Sequence, residues 1–317
     1  MKTLIIIPAL MFKYRFSAPL AWLFSKYVNH VRGMYSFELN KRIVKEYDSF
    51  IVELNWYIEL FEFQLIVKYI GKYNKDAQIL FGDQYSQLRY KEISDRYEVD
   101  YFTKGDDELP VQMYLDRKDV HTIPNMVGRD FENSITYVFT EKDYDNIEFN
   151  LDWFPDYSKY TYAKPSEEPC RRYKLPLSPY GKYHIPSIIA SRGACASAHK
   201  GCKNCFAYQK EIMNKIFNRG SLVISNETLI KILKKLDDKF DHAALFINSK
   251  VDYDFSGHYF NLDCTIEVDS MNSLTSIKKI LPAFKKTIWH LSIYEEGLLV
   301  GNIRKVNPYI REKALEL

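Results

Sequence analysis

Short apolar strand patterns alternate with amphipathic helix patterns over residues 1–118, and this alternation narrows the fold more than any other feature of the chain. It predicts strands over Thr3–Ile7, Phe50–Leu54, Gln78–Phe81 and Val99–Thr103. Between the first two lies a helix pattern. Ser17 is placed to cap it, Pro19 falls in its first turn, Leu20, Leu23, Phe24, Tyr27, Val28 and Val31 make its apolar face, and Gly33 reads as its stop. A second helix pattern, residues 58–73, precedes the third strand. Alternation of this kind builds a parallel sheet with helices on both faces, and such sheets bind ligands at the carboxyl ends of their strands. The third predicted strand runs into Gly82-Asp83-Gln84-Tyr85-Ser86, and the fourth into Lys104-Gly105-Asp106-Asp107-Glu108. A glycine after each strand lets the backbone turn tightly or approach a ligand closely; the same residues also read as ordinary turns with Asp or Ser as helix caps.

Residues 119–184 lose the alternation and gain prolines and tyrosines. Ile147, Phe149, Leu151, Trp153 and Phe154 demand burial, so this connector is expected to pack on its neighbours rather than to hang as a flexible linker. From residue 185 the rhythm resumes. Strands are predicted over Ser187–Ala190, Ala243–Ile247, Asp263–Val268 and Thr287–Ile293, with a helix opened by Ser225 whose Leu229, Ile232, Leu233, Leu236 and Phe240 share one face, and another over residues 273–281. A complete eight-fold β/α barrel takes roughly 250 residues. A chain of 317 residues therefore cannot hold one together with a full second domain.

Composition excludes several classes. Apolar residues make up 46% and aromatics 15%, which rules out a disordered tail or a collagen-like repeat. With 44 Lys and Arg against 41 Asp and Glu, net charge alone implies no polyanionic partner. The Lys231, Lys234 and Lys235 cluster reads as a solvated helix face, so nucleic acid is not an expected partner. Met1-Lys2 followed by an apolar run imitates a signal peptide, but Lys13 and Arg15 arrive at once and no small-residue cleavage pattern follows. No apolar stretch approaches the roughly 20 residues of a membrane span. Five cysteines, odd in number and clustered, argue against a secreted disulfide framework. A cytoplasmic protein with reduced thiols is the expectation.

The densest chemical signal is Ser191-Arg192-Gly193-Ala194-Cys195, His199 and Cys202-Lys203-Asn204-Cys205-Phe206. Thiolates are soft ligands that suit zinc and iron-sulfur clusters, and a C-x-x-C turn can aim two sulfurs at one centre. Three ligands would leave one iron of a four-iron cluster open, and an open position invites a substrate or cofactor. Two blander readings compete: a structural zinc knuckle completed by His199, Cys170 or Cys264, and a redox C-x-x-C pair that would leave the third cysteine idle.

The Ser-Arg-Gly lead-in and the three cysteines closing on C-x-x-C, at the end of the first strand of a β/α region, resemble the cluster loop of the radical S-adenosylmethionine (SAM) enzymes. Here the spacing is C-x6-C-x2-C; longer first gaps after an S-R-G lead-in occur in the branch with an N-terminal cobalamin-binding domain, which includes methyltransferases and peptide maturases. Gly82 to Ser86 is similar to that domain's G-G-x-x-S turn, with Asp83 replacing the second glycine. Residues 99–108 resemble its V-D-x-x-x-x-G-[ED]-x-E segment, and Ile123-Pro124-Asn125 the stretch that follows. The resemblance implies an α/β architecture: a Rossmann-like, flavodoxin-type parallel sheet domain over 1–118, the connector over 119–184, and the N-terminal part of a (β/α) radical SAM barrel over 185–317.

It also implies that Cys195, Cys202 and Cys205 hold a [4Fe-4S] cluster whose open iron chelates S-adenosylmethionine, with a one-electron donor such as flavodoxin or ferredoxin. Glu267, Ser292 and Phe206 fall where the family presents groups to that cofactor. Gly82, Asp83, Ser86, Gly105, Asp106 and Glu108 fall where it binds cobalamin. The substrate, a peptide or small molecule, and the catalytic residues are not named by the resemblance. Three departures stand out: Asn204 replaces the usual aromatic before the last cysteine, the loop from Pro8 to Pro19 has no histidine to ligate cobalt, and four barrel strands stand where six or more are usual. The last leads to the expectation of a fragment, or of a short form that binds metal without turnover. A non-catalytic protein with structural zinc or an inert cluster is the alternative from a different class.

Overall fold

Strand β1 (Thr3–Ile7) is buried along its whole length, as a central strand covered on both faces must be. In this computed structural model the described residues are 1–8, 15–16, 18–53, 60–82, 91, 95–155, 187–192, 222–247, 252–268 and 278–291. They belong to two compact units, residues 1–143 with 147–185, and residues 144–146 with 186–317.

In the first unit β1 is followed by α1 (Ala18–Ser25), β2 (Val31–Tyr35), α2 (Lys41–Glu46), β3 (Ser49–Glu53), α3 (Leu60–Tyr73), β4 (Gln78–Gly82), β5 (Tyr101–Thr103), α4 (Glu108–Leu115) and β6 (Met126–Gly128). The strands form one sheet in the order β2-β1-β3-β4-β5-β6. All neighbours are parallel except the last pair, in which β6 runs antiparallel to β5. The first five strands follow the flavodoxin-like order, so the chain reverses direction across the sheet between β1 and β3, and the carboxyl ends there border a crevice.

The α/β expectation holds, and the four strands predicted for this unit are found as β1, β3, β4 and β5, the last shortened to Tyr101–Thr103. The first helix differs from its pattern. It ends at Ser25 instead of continuing to Val31, and Val31 opens β2, which pairs in register with β1 from Thr3↔Val31 to Ile7↔Tyr35. Gly33 is no helix stop but a point of close approach. Its N–H donates to the Trp153 carbonyl at 2.6 Å, and a Cβ there would sit 2.4 Å from the indole ring. Trp153 in turn packs edge-on against Phe24 at 5.0 Å, and Phe154 against Tyr35 at 5.2 Å. The apolar run from Ile147 to Phe154 is buried as its composition demands.

Strand β6 escaped the sequence reading because three residues carry too little periodicity to register. It is held by its neighbours: Asn125, at φ 60°, is fully buried and its amide makes four bonds. Its Nδ2 donates to the carbonyls of Asp106 (2.8 Å) and Tyr137 (2.9 Å), and its Oδ1 accepts from the N–H groups of Thr136 (3.1 Å) and Tyr137 (3.2 Å).

The second unit contains β7 (Ser187–Ile189), β8 (Ser191–Arg192), β9 (Leu222–Val223), α5 (Asn226–Asp237), β10 (His242–Ile247), β11 (Phe260–Val268) and β12 (Phe284–Leu291). Strands β7, β10, β11 and β12 are parallel and lie side by side in that order, whereas β8 and β9 form a short antiparallel pair. Parallel strands laid down in chain order are the construction of a β/α barrel wall. Ser225 caps α5 as the sequence predicts, its Oγ accepting from Thr228 N–H at 3.2 Å, and Leu229, Ile232, Leu233 and Leu236 are buried.

Candidate functional site

At the carboxyl edge of the first sheet, Glu53 ends β3, Gly82 ends β4 and Thr103 ends β5, and Glu53 and Gly82 are register partners. All three lie in the buried interior. A Cβ on Gly82 would lie 3.7 Å from Asp107 Oδ2 and 3.8 Å from Thr103 Oγ1, so the two predicted strand-end turns meet here. Thr103 Oγ1 is buried and has no hydrogen-bond partner among the described residues. A buried hydroxyl left in that state costs about 1–3 kcal/mol unless something satisfies it.

The 104–108 turn is built for rigidity. Gly105 adopts φ 84°, a conformation that only glycine takes without strain. Lys104, nearly buried, pairs with Glu132 at 2.8 Å, and its N–H donates to the Asn125 carbonyl at 2.8 Å. Asp106 is wholly buried, and its Oδ2 accepts from Phe139 N–H at 2.8 Å, so its carboxylate anchors backbone. Glu108 sits in the first turn of α4, where a negative charge meets the positive end of the helix dipole. Of the predicted residues, Gly82, Gly105, Asp106 and Glu108 are thus placed; Asp83 and Ser86 lie outside the described residues.

Sequence reasoning missed Glu53, Thr103, Asp107 and the pair Ser36 and Glu62, whose side chains hydrogen-bond from the end of β2 to the start of α3. Buried carboxylates are rare, so an apolar strand such as Ser49–Glu53 closing on Glu was the available signal.

At the carboxyl edge of the second sheet, β7 passes through Ala190 into β8, and Gly193, which opens the cysteine loop, comes next. Ile189, Phe246, Glu267 and His290 form one row across β7, β10, β11 and β12. Glu267 therefore lies two strand spacings, roughly 10 Å, from the end of β7, and Ser292 follows directly on the end of β12. Cys195, Cys202, Cys205, Phe206 and Ser292 lie outside the described residues.

The two ends of the cysteine-bearing segment are nevertheless fastened together. Arg192 pairs with Leu222 and Ser191 with Val223, and Ile224 N–H donates to the Ala190 carbonyl at 2.9 Å. The Tyr253 hydroxyl, fully buried, lies 3.2 Å from the Ala190 carbonyl oxygen and 3.0 Å from that of Ile224, a donor shared between the two ends. Burial raises its phenol well above the usual range, so it remains a donor at any physiological pH. Nothing in the local sequence marks this tyrosine among the 25 in the chain.

Cys264, one of the candidate fourth ligands, is buried inside β11, and burial pushes its thiol far above the range in which thiolates form. Among the described residues no three His, Cys, Asp or Glu side chains form a metal-ligating group, and no helix is long and apolar enough to cross a membrane.

Two solved structures share this fold. The cobalamin-dependent S-adenosylmethionine radical enzyme OxsB, with aqua-cobalamin and S-adenosylmethionine bound, matches at a TM-score of 0.56 and 11% identity over 93% of this chain and 44% of its own. The radical S-adenosylmethionine methyltransferase TsrM from Kitasatospora setae, with cobalamin and a [4Fe-4S] cluster bound, matches at a TM-score of 0.54 and 11% identity over 95% of this chain and 61% of its own. The chain thus has the fold of cobalamin-dependent radical SAM enzymes while spanning less than two thirds of either structure. No protein-family model and no curated protein matches the sequence.

Proposed function

We propose that this chain is an iron-sulfur protein of the radical SAM type with a cobalamin-binding first unit, acting in methylation or another radical reaction on a peptide or small molecule. The observation that carries the reading is the departure of the Cys195, Cys202 and Cys205 segment from the end of the first strand of a parallel sheet built in chain order. The three thiolates would hold a [4Fe-4S] cluster and leave one iron for the amino and carboxylate groups of S-adenosylmethionine. When bound, that pair supplies a 5′-deoxyadenosyl radical or a transferable methyl group. The chain's own part is placement: the β8 and β9 pair and Tyr253 fasten the two ends of the segment, and Glu267, which stands in register with Phe246 on that row, would be the residue for the cofactor's polar groups.

Two features of the first unit support a polar cofactor there: Gly82 keeps a side chain out of the carboxyl edge, and Thr103 Oγ1 is a buried group with no partner among the described residues. No histidine lies between Pro8 and Pro19, so cobalamin held here would take no cobalt ligand from that stretch.

Anaerobic reconstitution with iron and sulfide tests the reading. The expected result is about four irons per chain with the broad visible absorbance of a cluster, both lost in Cys202→Ala, and retention of added hydroxocobalamin through gel filtration. Stoichiometric zinc with no iron would refute the radical reading and establish the non-catalytic alternative.

A further inference from the structure

We propose a second ligand site, for a phosphorylated small molecule of nucleotide size, in the cleft between α3 and the 96–100 segment that leads into β5. The cleft has a volume of about 600 Å³, inside the roughly 300–1,000 Å³ typical of small-molecule sites. It lies at the amino ends of β4 and β5, where Ile79 and Asp100 line it, and so away from the carboxyl edge described above.

Charge defines the ligand. Among the described residues, Lys68, Lys72, Lys75, Arg96 and Arg129 line the cleft together with Glu98 and Asp100, in a chain whose total charge is nearly balanced. Asp100 and Arg129 offset each other: Asp100 Oδ2 accepts from Ile79 N–H at 2.8 Å and its Oδ1 lies 3.6 Å from Arg129 Nη2. Arg96 and Glu98 are likewise of opposite sign, so the excess of positive charge at this small cleft comes from Lys68, Lys72 and Lys75, whose ammonium groups bind phosphate oxygens as point charges.

Gly71 supplies an independent indication. Glycine inside a helix is less stable than alanine, and three other glycines of the first unit answer to their surroundings: Gly33 and Gly128 would place a Cβ within 2.4 and 2.2 Å of aromatic rings, and Gly105 has φ 84°. Gly71 lies within α3, and a Cβ added there would meet no atom of the described residues within 4 Å. Packing does not require it. What it does is leave bare helix backbone facing the cleft, beside the apolar Val67 and Ile79 and the half-buried Tyr97. A flat, weakly polar moiety can lie on that surface while its phosphates meet the lysines of the rim.

Calorimetric titration of the full reconstituted chain with ADP and with inorganic pyrophosphate tests the site. Both probes are expected to bind. Gly71→Leu puts a side chain into the cleft at a point where a Cβ meets no described atom within 4 Å and replaces a helical glycine, so its melting temperature should equal or exceed the parent's while ADP binds at least tenfold more weakly. The double variant K72E/K75E should weaken both probes at least tenfold. Unchanged ADP affinity in Gly71→Leu, or no binding of either probe, would overturn the proposal. So would a single-stranded oligonucleotide that binds more tightly than both and is unaffected by Gly71→Leu, since that would make the cleft part of a nucleic-acid surface.

Discussion

The two sheets read alike in sequence and are assembled by different rules. Each is announced by apolar strands alternating with helices, yet the first takes the order β2-β1-β3-β4-β5 with a reversal between β1 and β3, and the second lays β7, β10, β11 and β12 side by side in chain order. The difference decides where chemistry can occur. A reversal opens a crevice at the carboxyl ends of two strands whose connections leave in opposite directions; an unreversed order presents one continuous carboxyl edge, on which the ends of β7 and β12 and Glu267 fall in line. Alternation thus locates strands and their carboxyl edges, but not their neighbours.

Variants in the two units should break the comparison by different amounts. The largest effect is expected from Asn125→Ala, which removes four hydrogen bonds from a buried junction and puts alanine at φ 60°, with a loss of about 3–4 kcal/mol. Hydrogen exchange should rise in β4, β5 and β6 while amides of β10, β11 and β12 keep their protection. Equal loosening of both sheets would show that the units do not unfold separately. Gly33→Val should cost about 2–3 kcal/mol, because the Trp153 ring it would strike is itself packed by Phe24 and Phe154 and cannot yield; a denaturation midpoint equal to the parent's would contradict that account of β2.

The smallest loss of stability, about 1 kcal/mol, is expected for Tyr253→Phe, which withdraws one donor from two carbonyls. Its informative effect lies elsewhere: reconstituted iron should fall and be lost faster on gel filtration, although no cysteine has changed. Full and equally durable iron loading in this variant would show that the ends of the cysteine segment need no such fastening.

Much of this was legible in the residues. Thr3–Ile7 reads as a buried strand because it is apolar on both faces, and the Ser225 cap fixed where α5 begins. Gly82 and Gly105 marked the turns at the carboxyl edge, although only Gly105 is bound there by its backbone angle. The failures have one cause. Val31 and Gly33 read as the end of a helix until β1 is available to pair with β2 and Trp153 to lie against Gly33, two partners 28 and 120 residues away in the chain from Val31 and Gly33 respectively. Glu53, Thr103 and Tyr253 likewise look ordinary until burial removes water and makes each polar atom matter.

What the sequence determined alone is therefore local: periodicity, caps, the positions of strand ends and the thiolate loop, all set by interactions within a few residues. Strand order, the reversal at β1, the meeting of Gly82 with Thr103 and Asp107, and the fastening of the cysteine segment by Tyr253 were decided only by tertiary structure. They depend on contacts between distant residues, and such contacts exist only once the apolar faces have been buried against one another.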